Sequence, residues 1–194
     1  MSGSLQHEII ARHQTRAARI VERYWCDLAA QGAIPERARI DPAEIQDALE
    51  YAFIAEHLDC GHARLRVAGG AVSAVLGMET TGMPLSVLIA PAARDRFNGR
   101  VARVFQGPAR LVLKLHAHAR YGQPPLEAEM RLYPLRGVSG RVTQSLGTFL
   151  CGGQIGRAPR RFDLGSVTEQ SARAPAPTFA PIRQHGHLRL VVSN

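Results

Sequence analysis

The stretches RLVLKLHAHAR at residues 110–120 and LEAEMRLY at residues 126–133 decide the fold. In the first, the odd positions from Leu111 to Ala119 are apolar, and the even positions from Lys114 onward are basic. The second alternates in the same way. Because neighbouring side chains of a strand point to opposite faces, a period of two predicts two strands. The segment YGQPP at residues 121–125 predicts the turn of an antiparallel hairpin.

Pairing within this hairpin is constrained by its alternation. Polar positions should face polar positions, because a slip of one residue would turn every side chain over. The sequence numbers of any two paired residues should therefore add up to an odd value of about 245–247. This register puts Glu127 or Glu129 opposite His118 and a basic neighbour. The polar face should then carry charge pairs, each worth well under about 1 kcal/mol.

Helices and further strands are predicted around the hairpin. Residues 16–30 form a helix, and Asp41 caps a short helix that begins at Pro42. The other predicted elements are a buried strand at 51–58, a strand at 63–68, a short helix at 71–76, a long helix at 92–105 and a strand at about 141–150. In the strand 63–68, Leu65 and Val67 are expected on one face, opposite Arg64 and Arg66.

The order of these elements indicates an α+β fold. It predicts one antiparallel sheet of about five strands with helices over one face, preceded by an N-terminal helix. We divide the chain into an N-terminal helical flank (1–35), a domain (36–155) and a Pro/Arg-rich flexible tail (156–194). The tail lacks periodicity over 158–183, and its apolar patch at 188–192 could add to a sheet edge or a partner.

The amino-acid composition limits the classes of function that this chain can have. The 194 residues are 45% hydrophobic, which suits one domain with a real core, and no apolar run approaches the length of a membrane span. Without a visible secretory signal, and with three widely spaced cysteines (Cys26, Cys60 and Cys151), we expect a cytoplasmic protein with free thiols. Half of the net charge of +8 lies in residues 155–194. The excess is dispersed, which disfavours direct nucleic-acid binding.

A series of short sequence motifs, taken in their order along the chain, resembles a known family. The motifs are Tyr24-Trp25-x-x-Leu28, Ile34-Pro35-x-Arg37, Ile40-Asp41-Pro42-x-x-Ile45, Leu65-Arg66-Val67-Ala68-Gly69, Leu76-Gly77-x-Glu79-x-Thr81-Gly82 and Leu132-Tyr133-Pro134-Leu135. Over about residues 17–155 this series resembles the PAS superfamily, and within it the short, mostly stand-alone PAS_5 proteins of alphaproteobacteria. Gly70-Ala-Val departs from the family, which more often has a polar residue after the glycine.

The resemblance implies a sensor or interaction module. A PAS domain holds a small ligand, or nothing, between its sheet and its central helices, and it usually dimerises, often through a helix that precedes the sheet. The predicted helix 16–30 is in the right place for this role. Its apolar stripe fits either an interface with a partner or a core contact, and the interface candidates are Ile20, Val21, Tyr24, Trp25 and Leu28.

The apolar face of the predicted sheet and the helices beside it could line a ligand pocket. The candidates are Met83, Leu88, Phe97, Val101, Leu111, Leu113, Leu115, Met130 and Leu132. These side chains could equally fill the core, since small domains bury such residues in any case. A ligand with this lining would be a small apolar molecule.

Cofactors are not predicted. Haem-binding PAS domains usually supply an axial histidine from the long helix, and residues 92–105 contain none. The Asn-Cys-Arg-Phe motif of flavin photosensors is also missing from the sequence. His116-x-His118 has a spacing that suits a metal, but no third ligand stands nearby in sequence. We therefore expect these histidines to pair with Glu127 or Glu129 across the hairpin, and no metal site.

The sequence thus predicts a cytoplasmic regulatory module, not an enzyme, with no output domain of its own. It should act by binding a small ligand or a protein partner, and as a homodimer. Two alternatives stay open: a nucleic-acid-associated adaptor that uses the basic tail, and a small-molecule lyase or isomerase of similar shape.

Overall fold

The computed structural model describes residues 2–30, 33–58 and 61–172, with side chains from Ile9 onward. The strands are β1 (Ala52–His57), β2 (Ala63–Ala68), β3 (Ala109–Ala117), β4 (Leu126–Arg136), β5 (Val142–Gly152) and β6 (Asp163–Ser171). They form one antiparallel sheet in the order β2-β1-β5-β4-β3-β6. The helices are α1 (Ser2–Leu28), α2 (Gly70–Leu76) and α3 (Arg94–Gln106), with short 3-10 helices at Arg37–Arg39, Pro42–Ala48, Leu85–Leu88 and Pro91–Ala93.

The predicted α+β fold class is confirmed, with six strands in the sheet. Helices α2 and α3 pack on one face, which we call the inner face, together with side chains such as Leu113 and Met130. Helix α1 and the 3-10 helix Pro42–Ala48 pack on the opposite, outer face. Within the described residues, no helix combines the length and apolarity needed to cross a membrane.

The β3–β4 hairpin has the predicted alternation but a different register. Lys114 lies opposite Glu129 and His116 opposite Glu127, so the prediction that a glutamate faces His118 was wrong. The cause is the tightness of the turn. Arg120 and Gln123 exchange backbone hydrogen bonds of 2.8 Å, which leaves a two-residue loop that Gly122 closes at a φ of +69°.

Glu129 shows the charge pairing expected on the polar face. Its carboxylate accepts hydrogen bonds from Lys114 and from Arg131 (2.6 Å). Burial by itself raises the pKa of this carboxyl, but these two cationic donors outweigh it and hold the pKa below its usual value. Arg131 also bonds Glu22 at 2.6 Å, which ties α1 to the sheet.

Strand β2 contains an irregularity that the sequence did not predict. The register against β1 shifts so that Leu65 pairs with Ala55 and Val67 with Ile54, and Arg66 is left between them. Leu65 is fully buried, whereas Val67 lies on the outer face and is 59% exposed. The prediction that Leu65 and Val67 share a face was therefore wrong, because one extra residue in a strand reverses the alternation beyond it.

Strand β6 lies inside the segment predicted to be a flexible tail. It pairs with β3 along its length, and Leu164 is buried in the inner core. The prediction was wrong for residues 163–171, whose polar composition concealed an edge strand. Residues 173–194, with the apolar patch at 188–192, lie outside the described residues.

Candidate functional site

The predicted pocket residues meet on the inner face of the sheet. Eight of the nine are at most 1% exposed and pack in a single cluster: Leu88, Phe97, Val101, Leu111, Leu113, Leu115, Met130 and Leu132. Met83 is half-buried in the loop before the 3-10 helix Leu85–Leu88. The cluster also holds Phe149 and Phe162, whose rings meet edge to face at 5.7 Å. This packing favours the interpretation as core, and a ligand at these residues stays a prediction.

The predicted interface residues lie along the part of α1 that contacts the sheet. Val21 and Trp25 are at most 3% exposed, and Trp25 donates a 2.9 Å hydrogen bond to the carbonyl of Pro134. Ile20, Tyr24 and Leu28 are half-buried against the same outer-face cluster. The structure therefore assigns Val21 and Trp25 to a contact within the chain. A role for the other three in an interface stays a prediction.

Residues 9–13 of α1 differ from the residues that follow them. All five are exposed, with Ile9 at 56% and Ile10 at 42%, whereas burial against the sheet begins at Gln14. The Gln14 side chain donates a 2.8 Å hydrogen bond to the carbonyl of Cys151, near the end of β5. The helix is thus longer than the predicted 16–30, and its added N-terminal part carries two exposed isoleucines.

An apolar groove of about 300 Å³ lies on the outer face, which we call the outer groove. Its walls come from the 3-10 helix Pro42–Ala48, β1 and the end of β2. Lining side chains include Ile40, Ile45, Leu49, Ile54, Val67 and Arg37. Leu49 is 42% exposed and Val67 59%. Sequence analysis missed this groove because the exposure of Val67 depends on the irregularity in β2.

His116 and His118 stand beside a residue that sequence analysis had placed in the tail. Their rings are 5.1 Å apart and nearly perpendicular. Asp163, at the start of β6, pairs with His116 across the sheet and lies 3.8 Å from Nε2 of His118. The two histidines therefore do have a third potential ligand, from a strand that the sequence did not predict.

The two described cysteines are free. Cys26 is half-buried and accepts a hydrogen bond of 3.6 Å from Arg110. Cys151 is buried, and burial raises the pKa of its thiol to about 12, although the charge of Arg160 acts in the opposite direction. Cys151 is therefore a protonated core residue at neutral pH.

Buried polar side chains in the described ranges are Gln14, Thr80, Ser86, Ser145, Thr148 and Arg160. No carboxylate or imidazole is among them. The lyase or isomerase alternative needs an acid or base that faces a pocket. The half-buried His57 has a buried Nε2 atom without a hydrogen-bond partner, and its ring lies 4.7 Å from that of Phe105 in the inner core. The lyase or isomerase alternative therefore stays a prediction.

Three comparisons relate the chain to known proteins. The family model PAS_5, described as a PAS domain, matches residues 13–150. A search of curated proteins found no significant match.

Solved structures that match this chain include three light-oxygen-voltage proteins. An RNA-binding light-oxygen-voltage receptor is 21% identical, with a TM-score of 0.41, over 61% of this chain and 36% of that chain. The match thus spans about a third of the receptor. A light-oxygen-voltage domain studied with a flavin analogue is 17% identical, with a TM-score of 0.41, over 58% and 84% of the two chains. The light-state structure of the blue-light photoreceptor Aureochrome1 domain is 17% identical, with a TM-score of 0.37, over 57% and 86%.

The family match covers the C-terminal half of α1, both inner helices and the first five strands. Strand β6 lies beyond it. Because the match extends over more than half of the sequence, the chain belongs to the PAS_5 family of PAS domains.

Proposed function

We propose that this PAS domain is a regulatory module that acts by protein–protein contact and assembles with a second copy of itself. The supporting observation is the exposed pair Ile9 and Ile10 on the part of α1 that precedes its contact with the sheet. Exposed apolar groups that adjoin each other commonly mark interaction surfaces.

The length of α1 supports the same proposal. With 27 residues the helix extends about 40 Å, at about 1.5 Å per residue. Most of the stability of a helix in a protein comes from the packing of its apolar face. Within the part of the chain that the structure describes, Ile9 and Ile10 are exposed, and a second copy in a two-fold arrangement would cover them on both helices at once.

The double variant Ile9→Asp/Ile10→Asp is expected to weaken the dimer at least about tenfold, because each buried isoleucine contributes about 1.5–3 kcal/mol. Light scattering across a dilution series of the full chain measures this change. Val138→Asp is the control, since Val138 is an exposed apolar residue that lies in the β4–β5 turn. A wild-type chain that is monomeric throughout the series, or a dimer indifferent to the double variant, contradicts the proposal.

A second candidate function is the binding of a small apolar ligand in the outer groove. Its volume of about 300 Å³ is at the lower end of the range for ligand pockets, and its lining is mainly apolar. Arg37 at the same groove could pair with an anionic group on such a ligand. The ligand site would then lie on the outer face, opposite the inner-face residues named from the sequence.

The dye anilinonaphthalene sulfonate combines an apolar ring system with a negative charge and tests this candidate. We expect its fluorescence to rise with the wild-type chain and its affinity to fall at least about fivefold in Val67→Glu, because a carboxylate would occupy the apolar groove. Val138→Glu is the control, and near-UV circular dichroism verifies that each variant is folded. Equal dye binding by Val67→Glu and wild type excludes the outer groove as the site.

The nucleic-acid alternative concerns the basic tail at residues 156–194, of which the structure describes only 156–172, and it stays a prediction. A gel-shift test of it should delete residues 173–194. Deleting 156–194 would remove β6 and disturb the sheet.

A further inference from the structure

We propose that His116, His118 and Asp163 form a binding site for a divalent transition metal ion, with zinc as the representative ion. Each residue offers one ligand atom, and these atoms all lie within 4.8 Å of one another. His116 is half-buried, whereas the side chains of His118 and Asp163 are 74% and 41% exposed. The site therefore combines one partly fixed ligand with two that can move.

The two histidines occupy successive outer-face positions along β3 and its immediate continuation. His116 lies in β3, and His118 follows the last residue of β3. Side chains two positions apart on a strand project from the same face, which is why the two imidazoles meet. The ring centroids are 5.1 Å apart.

A bulge in β6 places the carboxylate of Asp163 beside the histidines. Leu113 pairs with Val167, but Leu115 pairs with Leu164, so two residues of β6, Gly165 and Ser166, stand opposite one residue of β3. The extra residue reverses the alternation beyond it. As a result Leu164 enters the inner core, and Asp163 turns to the face that carries His116.

Gly165 makes this bulge possible. A Cβ at this position would lie 2.9 Å from the carbonyl oxygen of Lys114. A glycine, which has no Cβ, therefore occupies the point where β6 approaches β3 closely. Asp163, two residues earlier in the chain, lies beside the histidines.

The donor set selects the class of ion. Two imidazole nitrogens and one carboxylate oxygen suit zinc and similar transition metals, whereas magnesium and calcium prefer oxygen ligands. Ligands of one zinc ion, at about 2.0–2.2 Å from it, lie about 3.4 Å from each other. His118 Nε2 and Asp163 Oδ2 are already 3.8 Å apart, and rotation of exposed side chains covers the remaining distance.

Two of the three proposed ligands border a cavity. His118 and Asp163 line a space of about 200 Å³ together with Arg120, Gln123 and Arg161. A water molecule or a small anion can complete the coordination there, as is common where the protein supplies three ligands. A bound ion would hold the start of the edge strand β6 against β3.

Isothermal titration of the full-length, tag-free chain with zinc chloride tests this proposal. We expect one zinc ion per chain at this site, and a loss of affinity of at least about tenfold in His118→Ala and in Asp163→Asn. Both side chains are substantially exposed, so these variants should fold. His62→Ala is the control, because His62 is exposed in the β1–β2 turn and lies outside the cluster. Magnesium chloride should not bind at the site.

The sequence contains a competing pair, His185 and His187, outside the described residues. The double variant His185→Ala/His187→Ala should therefore retain the site, and zinc should still shift the imidazole resonances of His116 and His118 in nuclear magnetic resonance spectra. Two results overturn the proposal: absence of zinc binding, or zinc binding unchanged in both His118→Ala and Asp163→Asn. Neither result depends on whether the chain dimerises or binds an apolar ligand.

Discussion

Replacing Trp25 by alanine is expected to lower the free energy of unfolding by about 3–5 kcal/mol, as in other large-to-small core substitutions. The indole is 3% exposed and packs on the outer face of the sheet, with the Tyr133 ring 5.7 Å away. Its N–H donates to the carbonyl of Pro134, and the Arg110 guanidinium lies 5.8 Å from the ring. Alanine removes all of these contacts and leaves a cavity between α1 and β4. Urea denaturation followed by circular dichroism measures the change.

Two further variants make this experiment decisive. Trp25→Phe retains much of the apolar volume but loses the hydrogen bond, so it should cost clearly less and fold even if the alanine variant does not. Tyr121→Ala is the aromatic control, because Tyr121 is 97% exposed in the β3–β4 turn and should change stability by less than about 0.5 kcal/mol. Full stability in Trp25→Ala, combined with a weakened dimer, would instead assign Trp25 to an interface between chains.

The helix that carries Trp25 illustrates the limit of sequence periodicity. The spacing of its apolar residues correctly predicts a helix with one buried face, since periodicity is a local property. It does not indicate whether that face meets the protein's own sheet or another chain. The choice depends on the outer face of β4 and β5, where Tyr133 and Leu146 provide a second apolar layer. That layer appears only when distant strands are assembled.

The hairpin shows the same division between local and long-range information. Alternation predicts which side chains of β3 and β4 face the core, and the structure agrees for Leu111, Leu113 and Leu115. The register depends on the backbone conformation of Tyr121 and Gly122, which hydrophobic periodicity does not report. A two-residue difference in register preserves the faces but changes the partner of each charge.

The candidate sites were the least predictable features, and strand irregularities explain why. Val67 is exposed in the outer groove because of an extra residue in β2. Asp163 reaches His116 because of an extra residue in β6. In both strands the alternation in sequence is interrupted, so a search for regular periodicity either assigns the wrong face or finds no strand. The family resemblance ends before β6 and gives no help there.

Gly69→Ala and Gly70→Ala are expected to have opposite effects on stability although the residues are adjacent. A Cβ on Gly69 would lie 2.2 Å from the carbonyl oxygen of Leu49 and 2.3 Å from that of Glu50. Neither carbonyl is free to move, because Leu49 accepts a hydrogen bond from Ala52 and Glu50 accepts one from Ala71. We therefore expect Gly69→Ala to destabilise the fold by at least about 3 kcal/mol, at the upper end of overpacking costs.

Gly70 is the matched control for this prediction. It is the first residue of α2, it is exposed, and its added Cβ would come no closer than 4.0 Å to the Glu50 side chain. Alanine there should stabilise the protein by about 0.4–1 kcal/mol, because it restricts the unfolded chain more than glycine does. Thermal and urea denaturation of the two variants measure both signs. Equal effects from the two alanines would show that close approach to the 49–50 carbonyls is not what requires glycine at position 69. Opposite effects would mean that the glycine in Leu65-Arg66-Val67-Ala68-Gly69 is required by backbone contact, whereas the adjacent position, where this chain departs from its family, is free to vary.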